Sequence, residues 1–224
     1  MTLTVPMDET RPKLKPLARR FYLRTPELVA RELLGNILVR GRGRHRLAGR
    51  IVETEAYLGL NDAAAHAAAG PTARNAVLFG PAGHAYVYFI YGMHYCFNVS
   101  CLPAGNAGCV LIRALEPISG IAAMARSRGV ELGIAPTVAK LRRLASGPGR
   151  LAAALGITRA RDNGKDVTAS DLWIGDDGFK TAIVSTPRIG ITRAVDPQLR
   201  FLLADNPYVS GKPFRAKPSP ASRR

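Results

Sequence analysis

Apolar and polar positions alternate most clearly between residues 49 and 101, in two runs. The first is Gly49-Arg-Ile-Val-Glu-Thr-Glu-Ala-Tyr-Leu-Gly59, which reads as a buried β-strand carrying acids. Side chains alternate across a strand, so Glu53, Glu55 and Tyr57 share one face, and Val52, Thr54 and Ala56 the other. The second, Tyr86-Val-Tyr-Phe-Ile-Tyr-Gly-Met-His-Tyr-Cys-Phe-Asn98, lies within a β-hairpin over residues 84–101 that reverses near Gly92. Upstream, Thr25-Pro26-Glu27 predicts a helix start, with Thr as N-cap and Pro at the first helical position. That helix runs to Leu34 and stops at Gly35. A short strand over 36–40 and a basic turn over 41–46 lead into the acidic strand. Asn61 or Asp62 caps a short alanine-rich helix that carries His66, followed by a polar loop over 70–75.

Downstream, residues 109–115 form an apolar strand interrupted by Arg113. Helices are predicted at 117–126, 137–144 and 149–155. Short strands follow around 172–174, 182–185 and 188–191, and the run 199–203 suits a strand or a helix. Strands and helices mix without βαβ alternation, and no repeat of 20 to 50 residues appears. The class is α+β: a single compact domain with a curved, mainly antiparallel sheet, surrounding helices and a protruding hairpin. It spans residues 16–211, between a flexible basic leader (1–15) and a basic Pro/Ser-rich tail (212–224).

Composition narrows the function. A formal net charge of +16 and a pI near 10.6 suit a polyanionic partner, with nucleic acid the first candidate. The tails hold part of that excess, but residues 40–50 and 142–150 keep the central region basic. No run reaches the roughly 18 apolar residues of a membrane span. The first residues lack the pattern of a signal peptide, so a cytoplasmic location is expected. Three cysteines, Cys96, Cys101 and Cys109, make neither a disulfide framework nor a CxxC metal site, and read as buried thiols. P-loop, GxGxxG, GxSxG and HExxH patterns are absent, and no metal site is expected. Any chemistry falls to carboxylates, aromatics and arginines.

Glu55 has two readings. It is an exposed edge-strand carboxylate, paired for instance with Arg50, or a semi-buried one paired with Arg113. The apolar neighbours Ile51, Val52, Ala56 and Leu58 favour the second, because a buried charge needs a partner. Such a carboxylate can activate water and oppose a developing positive charge. Four of the seven tyrosines fall within residues 86–95. Tyr86 and Tyr95 suit core packing, whereas Tyr91 beside Gly92 suits a wedge entering a base stack. Asn98 lies where it can line the same pocket. His66 gains interest only from its closeness in sequence to Glu55 and Tyr57; His45, His84 and His94 read as solvated.

Taken in order, the run 49–59, Ala63-Ala-Ala-His66, the run 86–93, Asn98-Val-Ser100 and Val110-Leu-Ile-Arg-Ala-Leu-Glu-Pro117 resemble the alkyladenine (methylpurine, or 3-methyladenine) DNA glycosylases. Ser146-Gly-Pro148 and Arg188-Ile-Gly-Ile191 extend the resemblance, which weakens over 126–136. It implies a base-excision-repair enzyme that flips alkylated or deaminated purines, such as 3-methyladenine or hypoxanthine, out of double-stranded DNA. The N-glycosidic bond is then hydrolysed, leaving an abasic site. By matching positions, Glu55 is the base for the attacking water, with Arg113 beside it. Tyr57, His66 and Tyr88 stack on the base, Asn98 is a selectivity gate, and Tyr91 is the intercalating wedge. The resemblance implies no cofactor and no metal; a monomer in the cytoplasm, associated with the nucleoid, is expected. A non-enzymatic lesion-binding protein would keep Tyr91 and the basic surface without needing Glu55.

Overall fold

The computed structural model describes residues 14–211. Most of the expected leader and the whole tail therefore lie outside the described residues. The chain begins with α1 (Arg19–Tyr22) and α2 (Pro26–Leu33), then β1 (Ile37–Arg40) and β2 (Leu47–Tyr57). The hairpin is β3 (Ala85–Ile90) and β4 (His94–Ser100), followed by β5 (Cys109–Ser119). Then come α3 (Ile121–Arg128), α4 (Val138–Ala145), α5 (Pro148–Ala154) and α6 (Arg159–Asp162), and finally β6 (Leu172–Gly175), β7 (Ile183–Thr186) and β8 (Arg200–Leu203). The run 199–203 is thus a strand.

All eight strands join one antiparallel sheet, in the order β3-β4-β5-β2-β1-β6 with β8 and β7 branching from β2. The branch follows from the length of β2. Its residues 47–50 pair with β1, and its residues 53–55 pair with β8. On its other side β2 pairs with β5 along nearly its whole length, with register irregularities on either side of Glu53. Bulges bend a strand and sharpen its twist, and the sheet curls into a half-barrel. Against it, Val29, Ala30 and Leu33 of α2, Met124 of α3, Leu144 of α4 and Leu151 of α5 pack into one core. The fold is α+β and forms a single domain.

Three expected elements differ. Residues 117–119 continue β5, and the helix starts only at Ile121. Pro117 sits opposite Gly49 at an irregular step, where the missing N–H breaks no regular ladder. Gly120, at φ 72°, then turns the chain; a Cβ there would lie 2.4 Å from Leu47. Residues 63–69 form successive turns rather than a helix. The Asn75 amide takes the carbonyls of His66 (2.9 Å) and Gly70 (3.0 Å), and the local bonds close over three residues, as from Ala68 to Ala65 and from Gly70 to Ala67. Residues 188–191 are loop, because the Ile189 N–H is directed to a carboxylate instead of a neighbouring strand. At the N-cap of α2, Thr25 takes its expected place without a side-chain bond.

At the tip of the hairpin, Tyr91 and Gly92 both have positive φ (54° and 65°), and Met93 N–H bonds to the Ile90 carbonyl. A tyrosine in the left-handed region is uncommon, and here it turns the ring outward: Tyr91 is 75 % exposed. Among the described residues, no helix is long and apolar enough to cross a membrane.

Candidate active site

Two carboxylates of β2 lie beneath the floor of the site, bonded to a guanidinium of β5 that reaches it. Glu53 and Glu55 are fully buried, and Arg113 reaches both, with Nε 2.9 Å from Glu53 and Nη1 3.2 Å from Glu55. Burial pulls the Arg113 pKa down, but the two facing carboxylates outweigh that and hold it above its ordinary value. Arg50 is elsewhere, paired through both Nη atoms with Asp177 (2.9 and 2.8 Å).

The two acids differ in how many donors they meet. Glu53 accepts from Arg113, from Arg200 Nε (2.6 Å), and from the Ser210 hydroxyl (2.9 Å) and N–H (2.6 Å). Glu55 accepts from Arg113, from the Tyr57 hydroxyl (3.0 Å) and from Ile189 N–H (2.8 Å). A carboxylate offers about four acceptor positions. Glu53 thus meets four donors, three of them on Oε1, and Glu55 meets three, two on Oε2 and one on Oε1.

Above this floor lies a cavity of about 540 Å³. It is lined by Tyr57, His66, Tyr88, Asn98 and Arg113, with Tyr91 and His94 at its rim. Glu55 itself does not reach the wall. It lies one layer behind, screened by three lining groups: the Tyr57 hydroxyl, Arg113 and Ile189. The His66 and Tyr88 rings meet edge to face at 4.4 Å, and His66 Nδ1 is 2.9 Å from the Tyr86 hydroxyl. Burial, then the Arg74 charge, lowers the His66 pKa and favours the neutral imidazole. Burial likewise raises Tyr88, and burial reinforced by the Glu55 charge raises Tyr57, so both phenols stay protonated. Asn98 donates to the Tyr86 carbonyl (3.0 Å) and receives a weak thiol contact from Cys109 (3.9 Å). Cys96 and Cys109 are buried free thiols that also face the cavity. Among the described residues, no three His, Cys, Asp or Glu side chains gather to hold a metal ion.

With this arrangement in view, comparison with known proteins is decisive. The family model for methylpurine-DNA glycosylase (MPG) matches residues 20–207. The chain belongs to the methylpurine-DNA glycosylase family. This glycosylase is an enzyme of base-excision repair, with damaged DNA as its substrate. Curated relatives named "Putative 3-methyladenine DNA glycosylase" span nearly the same length. The protein of Koribacter versatilis is 60% identical over 205 residues, covering 90% of this chain and 96% of its own. That of Rhodopseudomonas palustris is 49% identical over 210 residues (93% and 95%), and that of Carboxydothermus hydrogenoformans 48% over 199 (88% and 99%).

The site also contains residues that the strand pattern alone did not single out. Asp62 and Arg188 form a buried pair beside Tyr57, Ile189 supplies a backbone donor to Glu55, and Arg200 and Ser210 hold Glu53. The cavity rim adds Arg150 and Arg193. Arg150 belongs to a cluster: burial, then the Arg150 and Arg143 charges, lowers the pKa of Arg128. His94 packs on Gly149, where a Cβ would lie 2.9 Å from the ring. The Ser146-Gly-Pro segment was legible as a helix start, but not as part of the rim.

Proposed function

We propose that this glycosylase flips alkylated or deaminated purines out of duplex DNA, stacks them in the aromatic cavity and hydrolyses their N-glycosidic bond with water activated by Glu55. The observation that carries this reading is the buried Glu55 carboxylate, held by Arg113, the Tyr57 hydroxyl and Ile189 N–H, directly behind a cavity walled by Tyr57, His66 and Tyr88. The volume suits a small planar ligand.

The roles follow from the chemistry. A base in a duplex must leave the stack before its C1′ bond can be reached, which costs a few kcal/mol. Tyr91, exposed at the hairpin tip between Phe89 and Met93 (45 % and 69 % exposed), is the apolar wedge that fills the gap. The charges of Arg150 and Arg143 act on Arg128 in the free protein, and the phosphate backbone neutralises them. Stacking against aromatic faces contributes about 1–3 kcal/mol per base and tolerates different rings, so several lesions are accepted. Cleavage passes through an oxocarbenium-like sugar. Glu55 takes the proton of water and opposes the sugar's positive charge, while Arg113 orients Glu55 and the water. Asn98, fixed by the Tyr86 carbonyl, meets the purine edge and refuses normal bases. Among the described residues no lysine lines the cavity, and the reading takes water rather than an amine as the nucleophile, with an intact abasic site as product. One chain reads one nucleotide, and the enzyme acts as a monomer.

The test is single-turnover base release from a duplex carrying one hypoxanthine or ethenoadenine, with methylated DNA as a third substrate. Wild type is expected to release base, and Glu55→Gln to be slower by about 10²-fold or more. Equal rates, or an intermediate trapped by borohydride, would refute the mechanism.

A further inference from the structure

Arg188 is a buried cation that the proposed chemistry leaves without a role, although it touches several parts of the site. Its side chain is fully buried. Nη1 donates to Asp62 Oδ2 (2.5 Å) and to the Ala56 carbonyl (3.0 Å). Nη2 donates to Asp62 Oδ1 (2.9 Å) and to the Ala194 carbonyl (3.3 Å). The guanidinium carbon stands 4.7 Å from the centre of the Tyr57 ring. Asp62 in turn accepts from the N–H groups of Leu58 and Ala64, at the start of the turns that carry His66. The next residue along, Ile189, gives Glu55 its backbone donor at 2.8 Å.

These contacts tie three parts of the site to one planar group. The guanidinium backs the Tyr57 ring. Its fork grips the segment leading to His66, and its backbone delivers the Ile189 N–H to Glu55. We propose that Arg188, clamped by Asp62, is a positioning residue that holds the Tyr57 wall, the His66 turn and the Glu55 carboxylate in one register. The inference rests on the glycosylase reading given above and adds a residue to it. Arg188 never meets the purine; it acts through Tyr57 and Ile189. Only a planar five-donor group both stacks on a ring and bonds in plane to a carboxylate and two carbonyls, so lysine cannot replace it.

Arg50 supplies an internal control. It is also gripped by one carboxylate, Asp177, and lies 4.2 Å over a ring, that of Phe179, but no contact links it to the cavity. A merely structural role would make the two arginines equivalent. The experiment compares Arg188→Lys, Asp62→Asn and Arg50→Lys with wild type. It measures single-turnover release of ethenoadenine at saturating enzyme, affinity for undamaged duplex, and amide hydrogen exchange over residues 186–194. Asp62→Asn removes the clamp but keeps Arg188, which covers the case in which Arg188→Lys does not fold.

Both Arg188→Lys and Asp62→Asn are expected to slow release at least 20-fold and to speed exchange over 186–194 at least tenfold. Their affinity for undamaged duplex stays within threefold of wild type. Arg50→Lys is expected to keep wild-type release. Release within twofold of wild type by Arg188→Lys or Asp62→Asn, or an equal loss in Arg50→Lys, would overturn the inference alone. No release by wild type would remove the glycosylase reading and this inference with it.

Discussion

Replacing Glu53 by Gln separates the two buried acids of β2, which sequence alone treats alike. The amide keeps the shape of the side chain but turns one acceptor into a donor. If the NH₂ takes the place of Oε1, it faces Arg113, Arg200 and the Ser210 hydroxyl; if it replaces Oε2, it faces Ser210 N–H. Either orientation sets donor against donor, and both guanidinia lose their shared negative charge. Breaking a buried pair by altering one partner costs about 3–5 kcal/mol. Arg113 keeps Glu55, and Arg200 keeps Thr186 and the Ser210 carbonyl, so about 4 kcal/mol is expected. For a chain of this size each kcal/mol moves Tm by about 2–4 °C, giving a fall of about 8–16 °C. The assay is thermal unfolding by circular dichroism, run beside Glu55→Gln and paired with single-turnover excision well below either midpoint. Glu55 has fewer donors, so its Gln variant should lose the rate but much less stability. A Tm for Glu53→Gln within about 3 °C of wild type would refute the reasoning.

Other expectations follow from the same geometry. Tyr91→Ala should leave Tm almost unchanged, because the ring is exposed, while lowering lesion excision at least tenfold in a duplex and less in a single strand; equal losses in both would argue against a wedge. Asn98→Ala should raise release of undamaged purines at least tenfold, measured as alkali-labile sites in unmodified DNA. Arg150→Ala should lower the slope of log affinity against log salt by about 0.9, the contribution of one phosphate contact, and an unchanged slope would place Arg150 outside the DNA contact. His66 is held neutral by burial, so its folded pKa lies below the unfolded value near 6.5. As pH falls below about 6.5 the unfolded chain binds the proton first, and stability should decline until the folded pKa is passed. Thermal melts of wild type and His66→Gln between pH 7.5 and 5.5 should show a smaller pH dependence in the variant.

What was legible in the sequence was what short-range periodicity controls. Alternation over 49–59 placed both acids on one face, and the apolar strand interrupted by Arg113 supplied their partner. The hairpin was legible because a glycine beside a tyrosine breaks a dense alternating run. Elements set by distant side chains were not legible. The alanine-rich segment reads as helix by propensity, yet Asn75 takes its carbonyls and Asp62 is held by Arg188, 126 residues away. Arg188-Ile-Gly-Ile191 looked like a strand because its apolar content was visible, while the destination of the Ile189 N–H was not. The roles of Glu53 and Glu55 diverge through Ser210 and Arg200, 157 and 147 residues downstream. No local pattern carries that information.

The half-barrel accounts for this dependence on distant residues. Beta2 changes partner midway, from β1 to β8, and the irregular steps against β5 lie on either side of Glu53. At that crossing two buried side-chain acids need donors, which come from Tyr57 of β2 itself, from β5 and β8, and from the loops before and after β8. Glu53 is closed off by four such donors and anchors the crossing. Glu55, two residues on, meets three and faces the cavity side. The irregular pairing around Glu53 thus falls where Glu55, held by Arg113, Tyr57 and Ile189, lies directly behind the cavity wall.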